Sequence, residues 1–128
     1  MASLDDVADM ALALPEVTEE ERRGSRSWSV AQKGFAWERA FSKADLRRFG
    51  EATPPPGPIL AVRVEDLGEK EAVLEANPSA FFTIPHFDNY PAVLVQLSAV
   101  DPKALGEVIV DGWLCCAPPA LAQAYLQG

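Results

Sequence analysis

Hydrophobic and polar positions along this chain follow two different periods, and the changes between them divide it into helices and strands. A first helix is predicted after Ser3, because Ser3 and Asp6 have the spacing of a capping box, and Pro15 is expected to end it. The apolar residues between them recur three or four positions apart, as on one face of a helix: Leu4, Val7, Ala8, Ala11 and Leu12.

Period-two alternation follows and predicts a β-hairpin with the turn "QKG". Trp28 and Val30 are expected on one face of the first strand. On the returning strand, Phe35, Trp37 and Arg39 are expected to share a face. The preceding stretch "TEEERRGSR" is polar throughout and is expected to be a connection.

The remaining elements alternate between the two periods. Ser42 and Asp45 repeat the capping pattern, so a short helix ending at Gly50 is predicted as an insertion after the second strand. The other predicted elements are a strand at 59–64, a helix at 66–76, strands at 80–84 and 92–97, a long helix after Asp101 and a short one through Tyr125. This order predicts a single α+β domain over residues 1–128, with two layers, a largely antiparallel five-stranded sheet and the helices on one side.

Composition favours an ordinary globular protein. The chain has 128 residues, of which 48% are hydrophobic and 23% charged, and no apolar run approaches the roughly 18–20 residues that span a bilayer. The first residues are acidic where a signal peptide is basic, so a cytoplasmic location without membrane partners is expected. Cys115 and Cys116 are expected to be reduced thiols. No metal site or cofactor is predicted, because phosphate loops, dinucleotide fingerprints and zinc patterns are missing from the sequence.

The net charge of −8 is unevenly distributed. Residues 22–48 contain eight basic residues and two acidic ones, whereas the rest of the chain is strongly acidic. Such asymmetry is typical of a binding face on an acidic body. The alternative is that the basic segment neutralises acidic neighbours within the same fold.

Four segments resemble the MmcQ/YjbR family of small bacterial proteins: "ALALPEV", "WSVAQKGFAW", "NPSAFFTIPHFDNYPAVLVQL" and "VDPKALGEVIVDGWLCCAP". The resemblance implies a two-layer domain like that of type III secretion chaperones. It also implies DNA binding, a label that rests on a likeness to a double-wing motif. Lys33 matches the lysine usual at the hairpin turn. Gln96 stands where family members often have arginine, and Pro119 and Ala120 stand where they have basic residues.

The candidate nucleic-acid residues lie in and beside the hairpin: Arg22, Arg23, Arg26, Trp28, Lys33 and Arg39. In this hypothesis the cations converge on one exposed face and the aromatic rings stack on bases. In the alternative, the aromatic residues belong to the core and the basic residues protect a strand edge. Pairing of the basic side chains with the acids at 19–21 would remove the main support for DNA binding.

The only histidine, His86, suggests a second candidate site. As an enzyme site, His86 would be a general base oriented by Asp88, with Tyr90 as a proton donor. In the structural alternative, Pro85 and Pro91 fix a turn in which His86 bonds a backbone carbonyl. No catalytic residue is assigned.

The remaining hypothesis is a protein–protein or small-ligand interaction module, with the chain a monomer or a weak homodimer.

Overall fold

A computed structural model describes residues 2–128 and contains six strands and five α-helices in that range. The helices are α1 (Leu4–Leu12), α2 (Lys43–Phe49), α3 (Leu67–Ala76), α4 (Pro102–Cys116) and α5 (Pro119–Gln127). The strands are β1 (Val17–Arg22), β2 (Ser25–Val30), β3 (Lys33–Glu38), β4 (Ile59–Arg63), β5 (Phe81–Phe82) and β6 (Ala92–Gln96). They form one antiparallel sheet in the order β1-β2-β3-β4-β6-β5. None of the described helices is both long and apolar enough to cross a bilayer.

The predicted α+β class is confirmed, but the sheet has six strands instead of five. The additional strand is β1, which covers most of the stretch expected to be a polar connection. It pairs with β2 from Val17 opposite Val30 to Arg22 opposite Ser25. The strand β1 lies at the edge of the sheet, where charged side chains can pair with those of the neighbouring strand. Such a strand needs no alternation of apolar and polar residues, so the hydrophobic pattern did not predict it. The inserted helix α2 consequently follows the third strand.

Both predicted capping boxes are present. The Ser3 hydroxyl accepts the Asp6 backbone N–H at 3.2 Å, and Ser42 and Asp45 repeat this arrangement at 3.1 Å. These contacts join residues three positions apart, so the local sequence is sufficient to start α1 and α2 where they start.

The main core lies between one face of the sheet and the helices α1 and α4. Trp28, Leu60 and Trp113 are fully buried there. At Gly112 in α4 a Cβ atom would lie 2.8 Å from Val62 Cγ1 and 3.2 Å from the carbonyl oxygens of Phe35 and Arg63. A glycine at this position therefore allows α4 to pack directly against the backbone of β3 and β4.

A second, smaller core covers part of the opposite sheet face. Here α2 and a 3₁₀ turn at Pro85–Phe87, named the corner, cover β4 and β6. Phe41 and Phe49 pack against Ile59, Ala61 and Leu94. The prediction that all helices lie on one side was wrong for α2. Both faces of β4 and β6 are apolar, so burying only one would leave the other exposed to water.

A β-bulge in β3 changes which side chains of the hairpin lie on the same face of the sheet. Ser29 pairs with Gly34 and Trp28 pairs with Ala36, which leaves Phe35 as an extra residue. Phe35 lies in the main core, whereas Trp37 reaches the opposite face and packs beside the second core. The prediction that Phe35 and Trp37 share a face was therefore wrong, because a bulge advances the alternation by one residue.

Candidate ligand-binding groove on the open sheet face

The face of β2 and β3 that points away from α1 and α4 forms a concave surface. Ser27 lies opposite Trp37, which in turn lies opposite Ala61, so these residues share this face. We name the depression the serine groove. It has a volume of about 500 Å³, and the lining residues that matter here are Ser27, Ser29, Gly34, Trp37, Arg63 and Tyr90.

Arg63, the last residue of β4, carries a positive charge into the serine groove. Its guanidinium carbon lies 5.6 Å from the centre of the Tyr90 ring, within range of a cation–π contact. Its Nε is buried and has no hydrogen-bond partner. No carboxylate among residues 2–128 lies within ion-pair distance of this guanidinium. The positive charge of Arg63 is therefore without an ion-pair partner in the described chain.

The other charged residues that line the serine groove are already engaged. Glu38 accepts the backbone N–H of Arg26 at 3.1 Å. Arg22 pairs with Glu20 at 3.0 Å, and both side chains are largely exposed. Among the cations that line the groove, Arg63 is therefore the one without an ion-pair partner in the described chain, and Glu38, which accepts a neutral N–H, keeps its negative charge.

Arg26, a predicted nucleic-acid residue, is held by two acids. Its guanidinium lies 2.8 Å from Asp5 and 3.0 Å from Glu19. The hydrogen bonds with Glu19 and then Asp5 raise the pKa of Arg26, and the bond with Arg26 is the main cause that lowers the pKa of Glu19. Glu19 and Asp5 therefore neutralise Arg26, which agrees with the alternative in which the basic segment is balanced by acids of the same fold.

The structure contradicts the prediction that Trp28 stacks on nucleic-acid bases. Its side chain is 0% exposed in the main core, and its Nε1–H donates to Glu19 at 2.9 Å. A ring without exposed surface cannot stack on a nucleic-acid base. Lys33 lies opposite Val30, on the face that carries the main core, and Arg23 lies in the turn between β1 and β2. The six predicted nucleic-acid residues thus do not converge on one surface.

Arg39 lies on the opposite face from Trp28 but is fixed in place. Its guanidinium pairs with Asp45 at 3.0 Å and lies 5.7 Å from the centre of the Phe87 ring. Burial alone would raise the pKa of Asp45, but hydrogen bonds from Ser42 and the charge of Arg39 outweigh it and lower the pKa. Arg39 therefore connects the hairpin to α2 and the corner.

His86, Asp88 and Tyr90 are exposed around the corner, but they do not form one site. His86 lines a shallow depression with Trp37, Phe87 and Tyr90, whereas Asp88 lines a different one. Among residues 2–128 the His86 ring has no hydrogen-bond partner, so the expected bond to a backbone carbonyl is also missing. In the same range no three His, Cys, Asp or Glu side chains form a metal-binding group.

Two residues that matter near the candidate sites were not predicted from the sequence. Arg63 is the one charge in the apolar strand at 59–64, and Lys70 is a buried lysine in α3. The Lys70 Nζ donates to the carbonyl oxygens of Phe87 at 2.7 Å and Tyr90 at 2.9 Å. Burial lowers the pKa of Lys70, and the nearby Asp88 partly opposes this. A lone charge within an apolar strand was the available signal for Arg63, whereas Lys70 stands between Glu69 and Glu71 and its burial had no comparable signal in the sequence.

Comparison with known proteins agrees with this architecture. The crystal structure of Deinococcus radiodurans protein DR2400, with a DUF419 domain, superimposes with a TM-score of 0.67 and 19% identity over 99% of this chain and 87% of that chain. At this identity the likeness establishes the fold alone.

Relatives with higher sequence identity and a family model identify the family. The uncharacterised proteins Mb2600 of Mycobacterium bovis and Rv2570 of Mycobacterium tuberculosis are each 44% identical over 129 residues, which cover 98% of this chain and 97% of theirs. The YjbR family model matches residues 12–115, from the end of α1 almost to the end of α4. The resemblance seen in the sequence is thereby confirmed, and this chain belongs to the YjbR family.

Proposed function

We propose that this protein is a binding module that holds a small ligand in the serine groove. The observation that carries the proposal is Arg63, which lines the groove and whose guanidinium has no acid within ion-pair distance among residues 2–128. A volume of about 500 Å³ is within the range of roughly 300–1,000 Å³ that small-molecule sites occupy.

The distribution of charge favours this hypothesis over DNA binding through the hairpin. Arg22, Arg26 and Arg39 each have an acidic partner at 3.0 Å or less. A duplex approaching the protein would also meet a net charge of −8, which repels polyphosphate at long range. A small ligand needs only the local surface of the groove and is affected much less by the total charge.

Gly34 provides a direct test, because it lines the serine groove and can accept a side chain. A Cβ atom at Gly34 would lie 3.9 Å from Ser29 Oγ, an ordinary contact, so Gly34→Leu should fill the groove without straining the sheet. Gly106→Leu adds the same side chain to α4, where a Cβ atom has nothing within 4 Å, and serves as the matched control.

The experiment is a ¹H–¹⁵N NMR titration with a panel of small aromatic and aliphatic compounds that includes anionic, neutral and cationic members. Binding in the serine groove should shift the amide signals of Ser27, Ser29 and the indole signal of Trp37. Gly34→Leu should abolish these shifts and Gly106→Leu should retain them. The proposal is overturned when no compound shifts these signals, or when the shifts persist unchanged in Gly34→Leu.

A further inference from the structure

We propose, on the basis of the binding function above, that the ligand is a small aromatic oxyanion: a planar ring that carries a carboxylate or phosphate group. The oxyanion lies against the Arg63 guanidinium, and the ring lies against Trp37 and Tyr90. Three properties of the molecule favour such a ligand: the free hydrogen-bond donors of the serine groove, the position of its aromatic rings and the charge of the whole chain.

The serine groove is rich in free donors. The Trp28 and Trp113 indoles donate to Glu19 at 2.9 Å and to the Pro15 carbonyl oxygen at 3.1 Å. The Trp37 indole N–H, in contrast, has no partner among residues 2–128. Guanidinium and indole groups only donate hydrogen bonds, so a ligand that presents acceptors can pair with the Trp37 indole N–H and with the terminal nitrogens of Arg63, which unlike its Nε are not buried without a partner.

The serine hydroxyls add further hydrogen-bonding capacity. Ser25, Ser27 and Ser29 are half-buried in the groove, and their hydroxyls form no hydrogen bond within the described chain. The one carboxylate of the groove, Glu38, already accepts the Arg26 backbone N–H. A ligand that presents several acceptors and a negative charge satisfies these groups, and an oxyanion bound to a guanidinium does so with charge-assisted hydrogen bonds.

Aromatic surface lies beside these donors. Tyr90 is 37% exposed, and Trp37 is half-buried between the serine groove and the depression at His86. Phe87 supports both rings, with centroids at 6.5 Å from Trp37 and 5.5 Å from Tyr90. A flat ligand ring can therefore contact aromatic faces while its anionic group reaches Arg63.

The total charge limits the size of the anion. With a net charge of −8, the protein repels a polyanion more strongly with each additional charge. One unpaired arginine balances one negative charge, far fewer than an extended phosphate chain carries. The ligand is accordingly a compact anion and not an oligonucleotide.

The test uses benzoate and phenyl phosphate as probes of the aromatic oxyanion. Benzyl alcohol, benzylamine and inorganic phosphate are the comparison compounds. Each is titrated into the whole chain while the Trp37 indole signal is followed by NMR. We expect benzoate or phenyl phosphate to bind more tightly than the other three. Arg63→Gln should weaken that binding about tenfold or more, the usual effect of losing a charge-assisted hydrogen bond.

Arg23→Gln is the matched control, because it removes the same group from a turn that does not line the groove, and its affinity should stay within about twofold of the original protein. Gly34→Leu is a second variant that blocks the site without touching Arg63.

Different results would overturn the aromatic oxyanion and the small-ligand function. Equal binding of benzyl alcohol and benzoate, or no effect of Arg63→Gln, overturns the anionic ligand but leaves the serine groove as a binding site. Tighter binding of benzylamine does the same. Binding of inorganic phosphate as tightly as phenyl phosphate overturns recognition of the ring. If none of the five compounds shifts the groove signals while another compound of the wider panel does, the aromatic oxyanion is overturned and the small-ligand function stands. If no compound of the wider panel shifts them either, the small-ligand function is overturned as well.

Discussion

At the scale of single residues, Glu19 shows how a charge on an edge strand can stabilise the core behind it. It accepts hydrogen bonds from Trp28 Nε1 at 2.9 Å and from Arg26 Nε at 3.0 Å. The hydrogen bond from Arg26 holds the pKa of Glu19 below its ordinary value of 4.5. A lowered carboxyl pKa means that the unfolded chain binds the proton more tightly. The contribution of Glu19 is therefore present above pH 4.5 and is lost as the pH falls through its pKa in the folded protein.

Glu19→Gln should lower the free energy of unfolding by about 1 kcal/mol at neutral pH, because the ion pair with Arg26 is removed. The difference from the original protein should shrink in acid, where Glu19 itself becomes protonated. Urea denaturation at neutral and acidic pH measures both effects. Glu20→Gln is the control, since the Glu20–Arg22 pair is largely exposed and its loss should change little. An equal loss at both pH values would contradict the assignment.

At the scale of elements, the contact of α4 with the sheet depends on one small residue. Gly112→Ala would place a Cβ atom 2.8 Å from Val62 Cγ1 and 3.2 Å from two backbone oxygens. We expect Gly112→Ala to lower the free energy of unfolding by about 1–3 kcal/mol through overpacking.

Gly106→Ala lies in the same helix with open space around its Cβ position. It should raise the free energy of unfolding by about 0.5–1 kcal/mol, the usual gain from replacing glycine in a helix. Thermal or urea unfolding of both variants measures the opposite signs. The same sign in both variants would show that α4 does not pack as described.

The corner is another element with an identifiable support. Lys70 in α3 holds it through hydrogen bonds to the carbonyl oxygens of Phe87 and Tyr90. Lys70→Met should remove the second donor of each oxygen, which would keep only its backbone donor, Tyr90 N–H for Phe87 and Ala92 N–H for Tyr90. We expect the free energy of unfolding to fall by about 1–3 kcal/mol, because hydrogen bonds from a charged donor are lost. Hydrogen exchange should accelerate most at the backbone N–H of Tyr90, which donates to Phe87 within the corner.

Lys103→Met, at an exposed position in α4, is the control for this variant and should leave hydrogen exchange at the corner unchanged. Unchanged exchange at Tyr90 in Lys70→Met would show that the corner is held by its prolines and aromatic contacts alone.

At the scale of the whole molecule, charge and topology together determine which ligands can approach. The basic segment lies within an acidic chain, and its arginines at 22, 26 and 39 are paired with acids from β1, α1 and α2. Counting basic residues along the sequence therefore overestimates the positive surface that a nucleic acid would meet.

We expect short duplex DNA to leave the tryptophan fluorescence unchanged at physiological salt, because the arginines Arg22, Arg26 and Arg39 of the hairpin hypothesis are paired with acids. A fluorescence titration at low and physiological salt is the measurement, and benzoate in the same assay provides the positive comparison. Salt-sensitive DNA binding that is lost in Arg26→Gln would contradict this prediction. It would also restore the hairpin hypothesis.

Local sequence determined several features of this protein. The capping residues Ser3 and Ser42 set the starts of α1 and α2, and the apolar periods identified the long helix and the central strands. These features depend on residues a few positions apart, so a linear pattern is enough to predict them. The family resemblance could be recognised in the same way, from segments that occur in order along the chain.

Only the tertiary structure decided the rest. The strand β1 exists because Glu19 finds Trp28 and Arg26 across the ladder, and the bulge at Phe35 turns Trp37 to the open face. Arg63 meets Tyr90 only because β4 lies beside β6 in the sheet. Each of these outcomes depends on strand register and on pairs of residues distant in sequence. The hydrophobic pattern of a single segment contains neither, so the groove became visible only in the folded chain.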